Sequence, residues 1–427
     1  MSLKLFVGEQ EFLTKQELGF NNPIITDFVK YEPPERKYSL RKIIIGVDKY
    51  TNKEVSLDFS KSKRVLILGK TGAGKTVITN RLLDYSYLAG SNVFIIDYKG
   101  EYTRKNEPLQ KHFHKFLLSG EKPKGFPLKI YYPAFLHAIT HKELMPNESL
   151  IQYSLTGLNK EDLTTLFSRI SNSQMNFGLY IELLWETMER EGFNDIEEIN
   201  YLIDHTEEIN PLVRPLLKKH LRILLNNKVL GEEYEQPDFI KDLNNNKMTI
   251  LNLKGMSNYS ERGDNPALVY VAIALRKLYF AKQMNYLSKK PLIISLDELH
   301  KFCPRIASPS SKKAFLKLLD LSRSERISLI SSSQDWKRIP DTVLKQANYI
   351  FLSHTIGLDD MYELFKLLLP NEYDNPINLK NKISEIIREM KVYPDKSRDW
   401  LLINTDLKKW GIIIPKMPLS HLTEEGE

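Results

Sequence analysis

Arg64-Val-Leu-Ile-Leu68-Gly69-Lys70-Thr71-Gly72-Ala73-Gly74-Lys75-Thr76 is the stretch on which the fold turns. A short apolar run of strand length passes directly into a glycine-rich loop ending in Lys-Thr. The loop fits G-x-x-x-x-G-K-[ST], the phosphate-binding P-loop. Glycines let the backbone wrap so that successive N–H groups point inward at phosphates. Beyond it, Val77, Leu82, Leu83, Tyr87 and Leu88 keep helical spacing, and Gly90 marks the end. That helix adds its positive N-terminal end to the loop. Gly69, Lys70, Thr71, Gly72, Ala73, Gly74, Lys75 and Thr76 are therefore the expected ATP cradle. Lys75 reaches the β- and γ-phosphates, and the Thr76 hydroxyl ligates Mg2+. Asn92-Val-Phe-Ile-Ile96 is a second buried strand. Strand, loop, helix, strand is the opening of a parallel α/β sheet flanked by helices.

A P-loop needs acids for the metal and the attacking water, and Leu292-Ile-Ile-Ser-Leu-Asp297-Glu298 offers them. An acid at the C-terminal end of a buried strand lies at the ligand edge of a parallel sheet. Asp297 is expected to bind Mg2+, directly or through its waters, and Glu298 to polarise the attacking water. A further strand, Ile327 to Ser331, runs into Gln334, which is placed to sense the γ-phosphate and orient water; a buried polar strand end is the alternative. Arg323 and Arg326 precede that strand. In a ring they would be fingers reaching a neighbour's nucleotide; solvated surface arginines are the other reading.

Working outward, residues 1–60 read as a short N-terminal β-rich arm. It includes a hairpin in which Lys42-Ile-Ile-Ile-Gly46-Val47 and Glu54-Val-Ser-Leu-Asp-Phe59 flank a polar turn. Residues 105–245 read as a large, mostly helical insertion, with amphipathic segments at 161–170, 179–190, 196–203 and 211–225. The core is expected to span 61–104 and 246–427, with strands at 248–253, 292–296, 327–331 and 349–352, a long helix over 266–287, and a tail of two helices and two short strands.

Composition sets the bounds. Of 427 residues, 42% are hydrophobic, enough for a sizeable core. Lys plus Arg is 61 and Asp plus Glu 54, a balance of +7 that permits a nucleic-acid partner without demanding one. The lone Cys303 excludes an internal disulfide and a Cys-based zinc site and suits a reducing cytosol. With no signal peptide or spanning run visible, the expected location is cytoplasmic, with no direct membrane insertion. His112, His114, His137 and His141 have no Cys or Asp partner clustered with them and read as surface or packing histidines.

These stretches together resemble the HerA-like branch of the HerA–FtsK superfamily of DNA-translocating ATPases. The resemblance rests on Ile45-Gly46-Val47 and its hairpin leading to the P-loop, and on Asp97-Tyr-Lys-Gly100-Glu101-Tyr102, similar to D-x-x-G-E-Y. It also rests on Leu251-Asn-Leu-Lys-Gly255, on Asp297-Glu298-Leu-His300-Lys-Phe302-Cys-Pro304, similar to D-E-A-H-x-F-x-P, and on Arg323 standing eleven residues before Gln334. It spans about residues 42–355. It implies a RecA-like core with an extra strand between the P-loop strand and the acid strand, a hexameric ring, and double-stranded DNA through the pore. Asp97, Glu101 and His300 occupy family positions. The branch carries an N-terminal barrel of about a hundred residues that helps bind a nuclease; here about 60 precede the P-loop, so a truncated or absent barrel is expected. Arg326 replaces a usual glycine.

The expectation is an ATP-hydrolysing, ring-forming motor that translocates along or unwinds double-stranded DNA, working with a nuclease partner. Two alternatives stand: a conjugation- or secretion-type ATPase, and an ATP-binding switch that scaffolds a nuclease. Lys301, Arg305, Lys312 and Lys313, around the loop Ser308-Pro-Ser-Ser311, are candidates for DNA phosphates or for a solvated charged loop.

Overall fold

Successive residues of one strand point to opposite faces of a sheet. In the computed structural model Leu66 and Leu68 enter one core layer while Val65 and Ile67 enter the other; Phe94 and Ile96 oppose Val93 and Ile95 in the same way. Both faces are covered, so these strands must be apolar throughout rather than alternating. The structure describes residues 38–134, 143–154, 177–192, 196–226, 228–231, 237–256, 266–369, 376–393 and 398–423, with 6–7, 10–11, 160 and 234. Two units are present. In the first, Met1–Arg36, strands β1 (Phe6–Val7) and β2 (Gln10–Glu11) pair antiparallel.

The second, Lys37–Glu427, is built on one 12-stranded sheet. Its strands are β3 (Ile43–Asp48), β4 (Glu54–Leu57), β5 (Arg64–Leu68), β6 (Asn92–Asp97), β7 (Leu128–Pro133), β8 (Glu148–Ile151), β9 (Met248–Asn252), β10 (Leu292–Leu296), β11 (Ile327–Ser333), β12 (Tyr349–Ser353), β13 (Trp400–Asn404) and β14 (Lys409–Pro415). The order is β4-β3-β14-β13-β12-β5-β11-β10-β6-β9-β7-β8. From β12 through β8 every neighbour is parallel. From β12 outward through β13, β14, β3 and β4 every pairing is antiparallel. The expected α/β, RecA-like architecture is present, and β11 is the strand between the P-loop strand and the acid strand.

The P-loop helix α1 (Lys75–Leu88) covers one face with Ile78, Leu82 and Leu83. Helices Pro266–Gln283 and Ser310–Leu321 pack along each other on the opposite face.

The segment 105–245 does contain helices (Phe177–Glu191, Ile196–His205, Arg214–Asn226), but it also gives the sheet its parallel edge, β7 and β8. Leu128 and Ile130 enter the α1-side core while Tyr131 enters the other, a period-two pattern too brief to stand out in a charged segment. Trp185, Leu202 and Leu221 of the helices join the same core as the central strands. The β3–β4 hairpin likewise belongs to the main sheet through β14, within the unit Lys37–Glu427. The expected helix over 161–170 lies outside the described residues. Among the described residues no helix is long and apolar enough to cross a membrane.

Candidate active site

The C-terminal ends of β5, β11, β10 and β6 lie side by side, and the expected residues converge there. Gly72 and Gly74 take φ of 69° and 90°, values that a side chain rarely adopts, so the loop curls before α1 begins. The Lys75 ammonium donates to the carbonyls of Gly69 at 2.9 Å and Lys70 at 3.0 Å, which holds it across the mouth of the loop. Burial pushes its pKa below the usual lysine value. The Thr76 hydroxyl donates to Glu101.

Glu298 begins a short helix (Leu299–Phe302) from a left-handed conformation, φ 52° and ψ 52°. Such a turn aims its carboxylate sideways across the strand ends. One oxygen pairs with the Lys99 ammonium at 2.5 Å and accepts from the Gln334 amide. Gln334 in turn accepts from the Thr71 hydroxyl at 2.9 Å. Burial would raise the Glu298 carboxyl, but Lys99, Gln334 and Lys75 outweigh it and hold it below the ordinary glutamate range. Asp297 is buried. Its Oδ1 accepts from Ser332 at 2.6 Å, and its Oδ2 has no hydrogen-bond partner. Burial, with Glu298 and Glu101 nearby, pushes its pKa up to about 7. A buried, unpartnered carboxylate oxygen is the donor chemistry that Mg2+ takes.

Asp97 works on the backbone. Its carboxylate accepts from the N–H groups of Gly100 (2.7 Å), Glu101 (3.1 Å) and Tyr102 (3.0 Å), closing the turn that carries Lys99 and Glu101. Burial raises its pKa to about 6, against the pull of those three bonds. His300 is buried with Nδ1 3.0 Å from the Ser333 hydroxyl and 3.3 Å from Glu298. Burial keeps it below the usual histidine value.

Other expected residues lie elsewhere. Arg323 and Arg326 are exposed at the N-terminal end of β11, a strand's length from Gln334, about 20 Å at 3.3 Å per residue. Lys312 is buried and donates to the Arg305 and Ala307 carbonyls, both at 2.9 Å, so it braces its own loop. Arg305 pairs with Asp341 at 2.9 Å. His114 lies 2.9 Å from the Leu109 carbonyl. His137 and His141 lie outside the described residues. Among the described residues no group of three or more His, Cys, Asp or Glu is placed to hold a metal.

Sequence reasoning missed Lys99, Ser332 and Arg398. Lys99 occupies a variable position of D-x-x-G-E-Y, where nothing drew notice. Arg398 donates to the Gly72 carbonyl from the far end of the chain, and no motif connects them.

The family described as "Helicase HerA, central domain" matches residues 43–263, just over half of the chain. This chain belongs to the HerA central-domain family. It is a HerA-like P-loop NTPase. Its matched span starts at β3 and takes in the P-loop, the Asp97 turn and β9. VirB4 of Thermoanaerobacter pseudethanolicus is similar in fold, with 16% identity over 90% of this chain and 98% of that one and a TM-score of 0.52. The bacterial conjugative coupling protein TrwBdeltaN70 has 10% identity over 93% of this HerA-family chain and 92% of its own, with a TM-score of 0.49. The genome packaging NTPase B204 from Sulfolobus turreted icosahedral virus 2 has 11% identity over 83% and 98%, with a TM-score of 0.36. No curated protein matches.

Proposed function

We propose that this chain is an ATP-driven motor on double-stranded DNA, acting as a ring whose nucleotide sites lie between subunits. The observation that carries the hydrolytic part is the linked series Thr71, Gln334, Glu298, Lys99, which ties the phosphate loop to the buried base. A module that only binds nucleotide has no need of a water-activating acid held as a carboxylate. Lys75 and the loop N–H groups bind and orient the triphosphate, Glu298 takes the proton of the attacking water, and Gln334 positions that water. Thr76 and Asp297 would hold Mg2+, which neutralises phosphate charge when bound.

Membership in a family described as a helicase supports the motor. Arg323 and Arg326 stand too far from their own P-loop to serve it, which favours a role toward a neighbour's site. For DNA phosphates we assign the exposed Lys301 and Lys313, beside the loop that Lys312 braces. A nuclease partner fits the same reading.

The test is the ATPase rate of the purified protein at low salt, with and without linear duplex DNA. Stimulation by DNA that disappears in Glu298→Gln is the expected outcome. A rate indifferent to DNA would count against the motor and for the switch.

A further inference from the structure

The segment between helix Pro266–Gln283 and β10 lies at the N-terminal edge of the parallel strands, opposite the edge that carries the phosphate loop. Three elements grip its backbone. Lys282 of the preceding helix, itself buried, donates to the carbonyls of Ser288 at 2.9 Å and Lys290 at 2.6 Å. Asn244, at the end of helix Phe239–Asn244, donates to the Tyr286 carbonyl at 3.0 Å and accepts from the Ser288 N–H at 2.9 Å. Arg326, in the turn before β11, donates to the Lys289 carbonyl at 3.3 Å. Leu287 anchors the middle of the segment in the core.

A backbone held so firmly presents side chains that face solvent. Met284 is 51% and Tyr286 63% exposed, and Phe280, on the last turns of the helix, is 47% exposed. The Phe280 and Tyr286 rings stand 6.3 Å apart, tilted by 58°. One exposed apolar side chain is ordinary; three together on a braced surface mark a contact site. Lys289 and Lys290 are exposed beside them. Lys290 donates to the Asn246 amide, a neutral partner, so its charge is not cancelled there. Asp242, across from the segment, is engaged by Lys247 at 3.0 Å and by Tyr131. In the adjoining turn Arg323 and Arg326 outweigh Glu325, which accepts from Ser324 at 3.2 Å.

The charge favours a polyanion, and the rings favour one with flat apolar faces on show. A duplex turns its bases inward and would leave the rings nothing to stack on. An acidic peptide brings the charge without the faces. A single strand brings both, and fixed aromatic side chains beside cations are how proteins hold one without reading its sequence. We infer that this surface binds single-stranded nucleic acid, with Phe280 and Tyr286 stacking on bases and Lys289 and Lys290 taking phosphates. The inference goes beyond the motor on duplex DNA and does not rest on it, because binding here needs neither ATP nor the site residues.

The experiment is fluorescence anisotropy of a labelled oligothymidylate of about 16 nucleotides with the full chain, without ATP, over a range of salt. Tyr286→Ala should weaken binding at least about fivefold, the loss of one stacked base, and Tyr286→Phe should restore it. Removing both lysines, Lys289→Ala with Lys290→Ala, should flatten the slope of log affinity against log salt by about 1.4, while Tyr286→Ala leaves the slope alone. Affinity for the matching duplex should not move in Tyr286→Ala. Oligouridylate run in parallel decides between DNA and RNA as the source of the strand. A wild type that leaves the oligonucleotide free overturns the inference. So does a Tyr286→Ala that binds the single strand like wild type or loses duplex equally, or a salt slope unchanged without the lysines. If Tyr286→Ala instead abolishes binding to anionic vesicles or breaks an oligomer, the surface belongs to a membrane or to a second copy, and the inference fails. The basal ATPase rate, measured on each variant, reports separately on the phosphate site.

Discussion

Glu298 sits in a left-handed turn with its carboxylate against Lys99 and Gln334. The base role we propose for it predicts that Glu298→Gln keeps ATP affinity while turnover falls about 10²–10⁴-fold, the usual contribution of general-base catalysis. Near-normal turnover would remove Glu298 from the chemistry. Lys99 pairs with that carboxylate. Burial alone would raise the Glu298 carboxyl, and Lys99 is the leading influence that lowers it. Lys99→Ala removes that influence, and the carboxyl rises from its lowered position. Because only the carboxylate accepts a proton, the acidic limb of the kcat–pH profile should move to higher pH in Lys99→Ala and return toward wild type in Lys99→Arg. A loss equal at every pH would mean that Lys99 merely shapes the turn. The placement is legible in the sequence, because a P-loop and an acid pair after an apolar strand are recognisable residue patterns: Lys75, Thr76, Asp297, Glu298 and Gln334 all meet at one sheet edge. Lys99 and Arg398 were not visible, since each acts by position alone and neither is tied to a spacing rule.

At the scale of elements, α1 is pinned from behind by charge. Lys105 is fully buried and pairs with Asp84 of α1 at 2.6 Å; Asp84 also accepts from the N–H groups of Leu419 and Ser420, each at 2.9 Å. One residue thus fastens both the segment after β6 and the end of the chain to the helix that carries the P-loop. Arg81, one turn earlier, pairs with the buried Glu121 at 2.7 Å and donates to the Ile44 carbonyl at 2.8 Å. Breaking a buried pair from one side leaves an uncompensated charge and costs about 3–5 kcal/mol. Asp84→Asn should therefore destabilise the fold by about that amount in denaturant unfolding. A loss under about 1 kcal/mol, the range of an exposed pair, would show that water reaches Lys105. The elements most legible in sequence were those with a periodicity and a stop signal, such as α1 ending at Gly90 and the apolar β5, β6 and β10. β7 and β8 were hidden because a short edge strand in a charged, helix-rich segment shows little periodicity. The β3–β4 hairpin was legible as a hairpin, but its place beside β14 comes from pairing across more than 350 residues of chain, which no local pattern encodes.

The whole molecule sorts its functions by edge. Phosphate loop, acids and glutamine share the C-terminal edge of the parallel strands, while Arg323 and Arg326 are exposed at the opposite end of β11. An arginine so placed has two fates: solvent, or the nucleotide of another subunit. In a head-to-tail ring each contact joins one subunit's site edge to a different surface of its neighbour, so a residue remote from its own P-loop can complete the next one. Arg323 is the better candidate of the two, because Arg326 is occupied at the carbonyl of Lys289 and takes a positive φ of 55°. Arg323→Ala alone should then abolish most turnover while leaving ATP affinity nearly intact. Mixing it with Glu298→Gln separates the two fates. Each protein is inactive alone, but where an Arg323→Ala subunit supplies the base and a Glu298→Gln neighbour supplies the arginine, a complete site forms. Random assembly at equal amounts makes about a quarter of the interfaces complete, and the mixture should recover activity on that scale. No recovery from two inactive proteins would place both residues in the service of one subunit, and a fully active Arg323→Ala would leave that arginine to the solvent.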